Sequence, residues 1–364
     1  MNVYAEKKAD DQWFDLRSEN ERIFLKMIKY IVKRLLMLIP VLIGVSLIVF
    51  FLLRVCAPDP APVVLGQHAT DAQIEAWRDA NGLNDSVVTQ YVDFIKGAVT
   101  GDFGESYYTH KPVLEEIGAR FPATLEIAIF AIIIASIFGI AIGVIAAVKK
   151  NSIIDNASMV LSLVGVSIPI FWLGILFIIF FVKILGWLPA SGRIDSMLRP
   201  EDITGLYLID TLVTGDFDAF KNALWHLILP GCTLALYTLA IISRMTRSSM
   251  LDTLNQDYIR TARSKGLSEG RVIVKHGLRN ALMPIVTVIG LQFGSLLGGA
   301  VLTETVFAWP GIGKYTVECI TKSDFPVIQA VVLIIATIFV LMNLIVDIIY
   351  AFLDPRIKYG KKEA

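Results

Sequence analysis

Between Asp257 and Pro284 the chain reads DYIRTARSKGLSEGRVIVKHGLRNALMP. This is the segment most crowded with Arg and Lys, and it lies between two long uncharged stretches. Guanidinium and ammonium groups at this density donate charge-assisted hydrogen bonds to carboxylates or phosphates. Two uses of such a segment stand open on composition alone. It docks a soluble partner, or it binds anionic lipid headgroups and enforces topology. The local pattern adds geometry. From Met250 onward, Leu251, Leu254, Tyr258 and Ala262 recur at helical spacing, with charges on the other face. Gly266 stops that helix as a C′ glycine does, and Ser268 is placed to cap a second one running through Val272 and His276 towards Pro284. The expectation is two helices joined at a tight Gly266–Leu267 corner.

Other chemistry is absent from the pattern. A self-powered transporter needs a G-x-x-x-x-G-K-[ST] phosphate loop. The nearest approach, PGIGKYT, misplaces its first glycine and puts Tyr315 at the hydroxyl position. No H-E-x-x-H or G-x-S-x-G pattern occurs, and there are four His. An ion-coupled carrier places ionisable residues inside its spans at a cost of roughly 2.5–3.5 kcal/mol each. The apolar stretches here are nearly empty of them. Glu126, His226 and Asp347 read as residues at span ends, not as relays.

The elements that position the basic segment are apolar helices. The 364 residues are 55% hydrophobic and 18% charged, with zero formal net charge and a mean hydropathy of +0.64. Neutral balance gives no hint of nucleic acid, and the class is that of membrane proteins. Six stretches are long and uncharged enough to cross a bilayer, at about 35–53, 127–148, 157–182, 223–243, 281–303 and 325–346. The third is long enough to tilt. The run 35–53 is too long, and too far from the start, for a signal peptide, so it reads as a retained anchor.

Basic and acidic residues alternate across these crossings. Residues 1–34 carry 8 Lys plus Arg against 6 acids, 54–121 carry 5 against 10, 183–222 carry 4 against 6, and 244–280 carry 8 against 3. Both termini and the 244–280 loop are therefore expected in the cytoplasm, and 54–121 and 183–222 outside. The outer segment opens with PDPAPVV, expected extended. A short helix over 72–80 and an amphipathic one over 86–99 follow, the latter with Val87, Tyr91, Phe94, Ile95 and Ala98 on one stripe. A cap packed on the spans is the plainer reading, and a platform for an external partner the alternative. Three Cys cannot make a disulfide framework, and sequence alone cannot bring Cys56 and Cys319 within bonding reach. Gly139 with Gly143, and Gly294 with Gly298, allow close helix approach within the subunit.

Several separated motifs agree in order with one family. DYIRTARSKGL followed by RNALMP resembles the EAA loop of ABC-importer membrane subunits, in the version of the dipeptide, oligopeptide and nickel permeases. GDFGESY, RFPATLEIA, SIPIFWLGI, LGWLPASGR, ETVFAWPGIGKY and the terminal DPR extend the likeness over roughly residues 35–357. It is closer to the B-type than to the paired C-type permease. The resemblance implies an all-α integral membrane protein of six transmembrane helices, with the type I ABC-importer permease fold and a small extracytoplasmic cap between helices 1 and 2.

The expected organisation is a cytoplasmic extension 1–27, a first span 28–54, a cap 55–121, a permease core 122–352 and a cytoplasmic tail 353–364. The resemblance further implies a bacterial cell-membrane permease subunit that passes peptides. Nickel or another small solute is the alternative within the family, and an ion-coupled carrier a more distant one. Its partners would be a second, C-type permease, two cytoplasmic ATP-binding subunits that use ATP and Mg, and an extracytoplasmic solute-binding protein. No cofactor or metal is expected on this chain. Tyr258, Arg260, Thr261, Ala262, Arg263, Lys265, Gly266 and Leu267 would form the ATPase-coupling loop. Glu304, Phe307, Trp309, Pro310 and Gly311 would lie at the outer mouth near the binding protein, the aromatic among them serving as an interfacial anchor. Arg260 stands where the general signature has an acid, so a Glu-to-Arg contact with the ATPase is not expected in that form. The N-terminal extension is longer than the family's usual one.

Overall fold

A computed structural model describes Lys29 and residues 31–353, the side chains of the last four excepted. The N-terminal extension and the DPR of the tail lie outside the described residues. Among the described residues the regular structure is helical, joined by loops, with one isolated bridge between Glu105 and Pro112. Five helices are long and apolar enough to cross a membrane: α1 (Ile31–Val55), α5 (Val113–Val148), α9 (Phe217–Leu254), α11 (Glu269–Gly299) and α14 (Phe325–Leu353). A sixth crossing is made by α6 (Ile153–Ser167) and α7 (Ile170–Ile184) if that bent pair is one span.

The bent pair corrects the expectation of one tilted span over 157–182. The two halves meet at 102°. A residue before proline is pushed out of the α region by the pyrrolidine Cδ. Ile168 accordingly sits extended at φ −79°, ψ 127°, and Pro169 restarts the helix. The other spans run past their apolar stretches, because a helix does not stop where hydrocarbon does. α5 begins at Val113, taking Glu115, Glu116, Arg120 and Pro122 into the helix.

In the cap, PDPAPVV is not extended. Pro60 opens helix α2 (Pro60–Leu65), with the Asp59 carboxylate accepting from Ala61 N at 3.0 Å. Proline is tolerated there because first-turn amides have no helical partner. Helices α3 (Asp71–Ala80) and α4 (Val87–Thr100) follow, capped by Thr70 and Ser86. Tyr91, Phe94, Ile95 and Ala98 are half-buried as the stripe requires, whereas Val87 is exposed. A short α8 (Tyr207–Thr214) precedes α9.

The core lies where α5, α9 and α11 cross, around Ile127, Ala131, Ala135, Leu234, Ile242 and Ile285. Lipid tails are as apolar as these side chains, so close packing, not exclusion of water, holds such helices together. Gly139 and Gly143 supply that closeness. A Cβ at Gly143 would stand 2.6 Å from the carbonyl oxygen of Ser243, and one at Gly139 would stand 3.0 Å from Ile242 Cβ. Gly294 does the same against Phe339 of α14, where a Cβ would stand 2.8 Å from Cδ2, whereas at Gly298 a Cβ would make an ordinary 3.4 Å contact with Ile335. The three cysteines are free, Cys319 buried and Cys56 exposed.

Candidate functional site

The basic segment folds as a corner. α9 ends at Leu254 and α10 (Asp257–Ser264) restarts after Asn255–Gln256, so the expected continuous helix from Met250 is two helices. The break turns Ile259, not Tyr258, inward. Ile259 and Val272 are fully buried and pack with Ala262, Leu254 and Leu267, while Tyr258 is exposed. Sequence reasoning missed Ile259 because it carried one helical phase across the break.

Gly266 closes α10 with φ +74°. Its amide donates to Arg263 O at 2.9 Å, and that of Leu267 reaches back to Ala262 O at 3.4 Å. These two reversed bonds satisfy carbonyls the helix end would orphan. An added Cβ at Gly266 would meet nothing within 4 Å, so the glycine is there for its backbone angle and not for space. Arg263 bridges the corner to Glu269 through Nε at 2.8 Å. Ser268 stands at the start of the next helix, but its side chain makes no capping bond, contrary to expectation.

The result is a small hydrophobic bead with its polar residues facing out. Arg260, Thr261, Arg263, Lys265 and Gly266 are all exposed. Beyond Ser268 the chain enters α11 directly, through a widened π-helical stretch, Val272–Leu278. The corner is thus the end of a membrane span. Its base is clamped to α9 at Gly277, where an added Cβ would come within 3.2 Å of Met250 Cε and 3.3 Å of Leu254 Cδ2. Asp155 of α6 forms a two-point ion pair with Arg247 of α9, with Nη2 to Oδ2 at 2.8 Å. That buried carboxylate was not singled out from sequence, having no motif of its own.

At the other end of the bundle the 304–313 segment is a buried latch. Glu304 follows α11 on the short α12 (Val301–Val306) and is fully buried. It accepts from Thr124 Oγ1 at 2.6 Å and from Lys314 N at 2.8 Å. Thr124 Oγ1 in turn accepts from Ile312 N at 2.9 Å. Desolvation holds the Glu304 carboxyl above the usual carboxylate range, against the hydrogen bonds from Thr124 and the Lys314 and Gly313 amides. Gly311 and Gly313 make room for it, since a Cβ at Gly311 would lie 2.3 Å from Glu304 Oε1. The glycines of PGIGK therefore serve a carboxylate at the start of helix α13 (Ile312–Thr321).

Trp309 is buried as well, its indole donating to Ala123 O at 2.8 Å. Trp309 is accordingly no interfacial aromatic anchor. Of the five residues expected at an outer mouth, Glu304, Phe307, Trp309 and Gly311 are buried and Pro310 alone is exposed. Beside them Glu126 accepts from Arg193 Nε at 2.8 Å and from Leu208 N at 2.8 Å. Arg193 also lies over the Tyr207 ring at 3.7 Å. Asp324 takes Ser106 Oγ at 2.6 Å and Tyr107 N at 3.2 Å, tying the GDFGESY segment to the same layer.

The described residues form a bundle of apolar helices, one of which ends in an exposed basic corner. Residues 139–359 match the model of the binding-protein-dependent transport system inner membrane component, and residues 27–128 match the N-terminal region model of the same components. The chain belongs to this family, as a multi-pass, all-α membrane component. It is 50% identical over 333 residues to a dipeptide transport system permease of Alkalihalophilus pseudofirmus, covering 92% of this chain and 100% of that one. A di/tripeptide transport permease of Pseudomonas aeruginosa is 46% identical over 336 residues, with the same coverage. A glutathione transport permease of Escherichia coli is 42% identical over 333 residues, again covering 92% and 100%. Among solved structures, an inward-facing MetNI methionine ABC transporter chain gives a TM-score of 0.46 at 18% identity, covering 64% of this chain and 93% of that one.

Proposed function

We propose that this chain is one half of the membrane pathway of an ATP-driven importer for short peptides. A second, C-type permease completes the pathway, an extracytoplasmic binding protein delivers the solute, and two cytoplasmic subunits hydrolyse ATP with Mg. The observation that carries this reading is the corner. It exposes Arg260, Arg263 and Lys265 on a rigid bead that is continuous with a membrane span. A soluble motor that closes on such a bead moves the span with it. In this reading the basic corner lies in the cytoplasm, as its Lys and Arg excess favours, and both termini lie there too.

Coupling of this kind needs two packings of the bundle, biased by nucleotide and by the loaded binding protein. Solute choice would rest mainly with the binding protein, the spans offering a weakly selective path. The peptide class is supported by the relatives, whose names specify dipeptides, di/tripeptides and glutathione, all of them peptides.

Uptake of a labelled dipeptide in cells that carry or lack this chain tests the proposal. Chain-dependent uptake should persist when a protonophore is added and ATP is maintained. Collapse of uptake with the proton gradient at constant ATP would replace the importer reading with an ion-coupled one.

A further inference from the structure

Helix α4 carries an apolar arc wider than the protein covers. At 3.6 residues per turn its apolar side chains fall within roughly 160° of the helix surface. Phe94 and Tyr91 lie at one edge, Ile95 at the centre, and Val88, Val99 and Val92 at the other. Lys96 flanks the Val92 edge, its ammonium donating to Asp93 Oδ1 at 3.1 Å, and Thr89 and Asp93 lie beyond it. Only the first edge is packed. Tyr91 and Phe94 pack on Phe50 of α1, with ring centroids 5.3 and 6.4 Å away, and Tyr91 Oη shares a 2.9 Å hydrogen bond with Ser46 Oγ. The second edge is bare, Val88 being 73% and Val99 83% exposed.

The depth of this contact decides what covers the bare edge. Ser46 lies nine residues inside the Val55 end of α1, roughly 13 Å along the helix axis at 1.5 Å per residue. α1 is a crossing helix of a membrane component, so α4 lies beside its apolar length and does not stand above it in water. Ile39, Ile43 and Leu47 of α1 are exposed, as lipid-facing residues are. A groove of about 490 Å³ joins the two surfaces. Ile43 of α1 lines one side, and Val92, Ile95 and Val99 of α4 the other, with Lys96 and Thr100 as its polar members. The bare valine edge is therefore continuous with the lipid face of α1.

We infer that α4 is a membrane-interface helix, its Val88–Val92–Val99 edge immersed in phospholipid acyl chains and Lys96 directed to the headgroup layer. Interfacial amphipathic helices sit in this way, with the apolar face some 5–10 Å below the headgroups and a long basic side chain reaching back to them. The cap would then be fastened to the bilayer on one side and to α1 on the other. This inference rests on membership of the membrane family and on the geometry of α1 and α4, and is independent of the solute.

The test uses the complete transporter, with its partner subunits, in vesicles of phosphatidylethanolamine and phosphatidylglycerol. A benzophenone amino acid is placed at Val92, at Val99 or, as control, at Asp93. Irradiation should give adducts of phospholipid mass at positions 92 and 99, several-fold above position 93. Crosslinks from 92 and 99 into another polypeptide would make the edge a protein docking face, and equal or absent lipid adducts would leave it in water; either result overturns the inference. A nitroxide on Val99→Cys in a Cys56→Ala background gives a second readout that tolerates a misfolded benzophenone variant. Collisions with oxygen should exceed those with a water-soluble nickel chelate, and the reverse order would contradict immersion.

Discussion

The corner at 257–267 and the latch at 304–313 are both short, glycine-dependent connections at the ends of the same span, yet they dispose of their polar groups in opposite ways. The corner satisfies its backbone within itself, through the reversed bonds at Gly266 and Leu267, and keeps its side-chain charge in water. Burying three residues, Ile259, Ala262 and Val272, is enough to shape it. The latch satisfies its polar groups across elements, with Glu304 reaching Thr124 on α5 and the start of α13. A buried carboxylate is tolerated only when such partners are present. One connection presents its polar side chains to solvent, and the other holds three helices in register.

That contrast yields graded expectations. The largest effect belongs to the layer around the latch. Arg193→Met strands the buried Glu126 carboxylate and should cost about 3–5 kcal/mol in unfolding of the solubilised protein. The double variant Glu126→Gln with Arg193→Met should recover much of that loss, and a double variant no better than the single would show that Arg193 acts through something other than the pair. Next, Glu304→Ala leaves the Thr124 hydroxyl and the Lys314 amide without their acceptor, at about 1–3 kcal/mol. Glu304→Gln should lose less, because the amide keeps an acceptor oxygen and the desolvation that raises this carboxyl's pKa no longer applies. Equal losses for Ala and Gln would mean that the negative charge itself is required.

Smaller effects on stability are expected at the corner, paired with larger ones on function. Gly266→Val forces a β-branched residue to φ +74° and should cost about 1–2 kcal/mol, while membrane insertion stays intact and dipeptide uptake is lost. Normal uptake by a well-inserted Gly266→Val protein would count against a docking role. Arg263→Ala removes an exposed pair with Glu269, worth about 0.2–1 kcal/mol. A stability loss well beyond that would mean that the corner is held together as the latch is.

Much of this arrangement was legible in the residue pattern, for identifiable reasons. Apolar length gave the crossings, and the glycine stop at Gly266 gave the corner. The bend at Ile168–Pro169 was signalled by proline, but a proline inside an apolar run is equally compatible with a kinked or a straight span. The helical phase across Asn255 and Gln256 was carried too far, because no proline or glycine marks that break. ETVFAWPGIGKY failed in a more instructive way. Tryptophan and a proline–glycine turn read as an interface, and only the partners Thr124 and Ala123, nearly 190 residues away in sequence, make them a core. Such distant hydrogen bonds leave no local periodicity to detect.

The docking of the corner by a cytoplasmic ATPase is what most needs a direct measurement. Lys265→Cys, at an exposed position next to Gly266, is to be oxidatively crosslinked in inside-out membrane vesicles that contain the complete transporter. A disulfide to a cysteine introduced in turn along the surface of an ATP-binding subunit, its yield altered by nucleotide, is the predicted result. Reaction of the introduced thiol only with reagents applied from the opposite face, or no capture of an ATPase under any nucleotide condition, would contradict it.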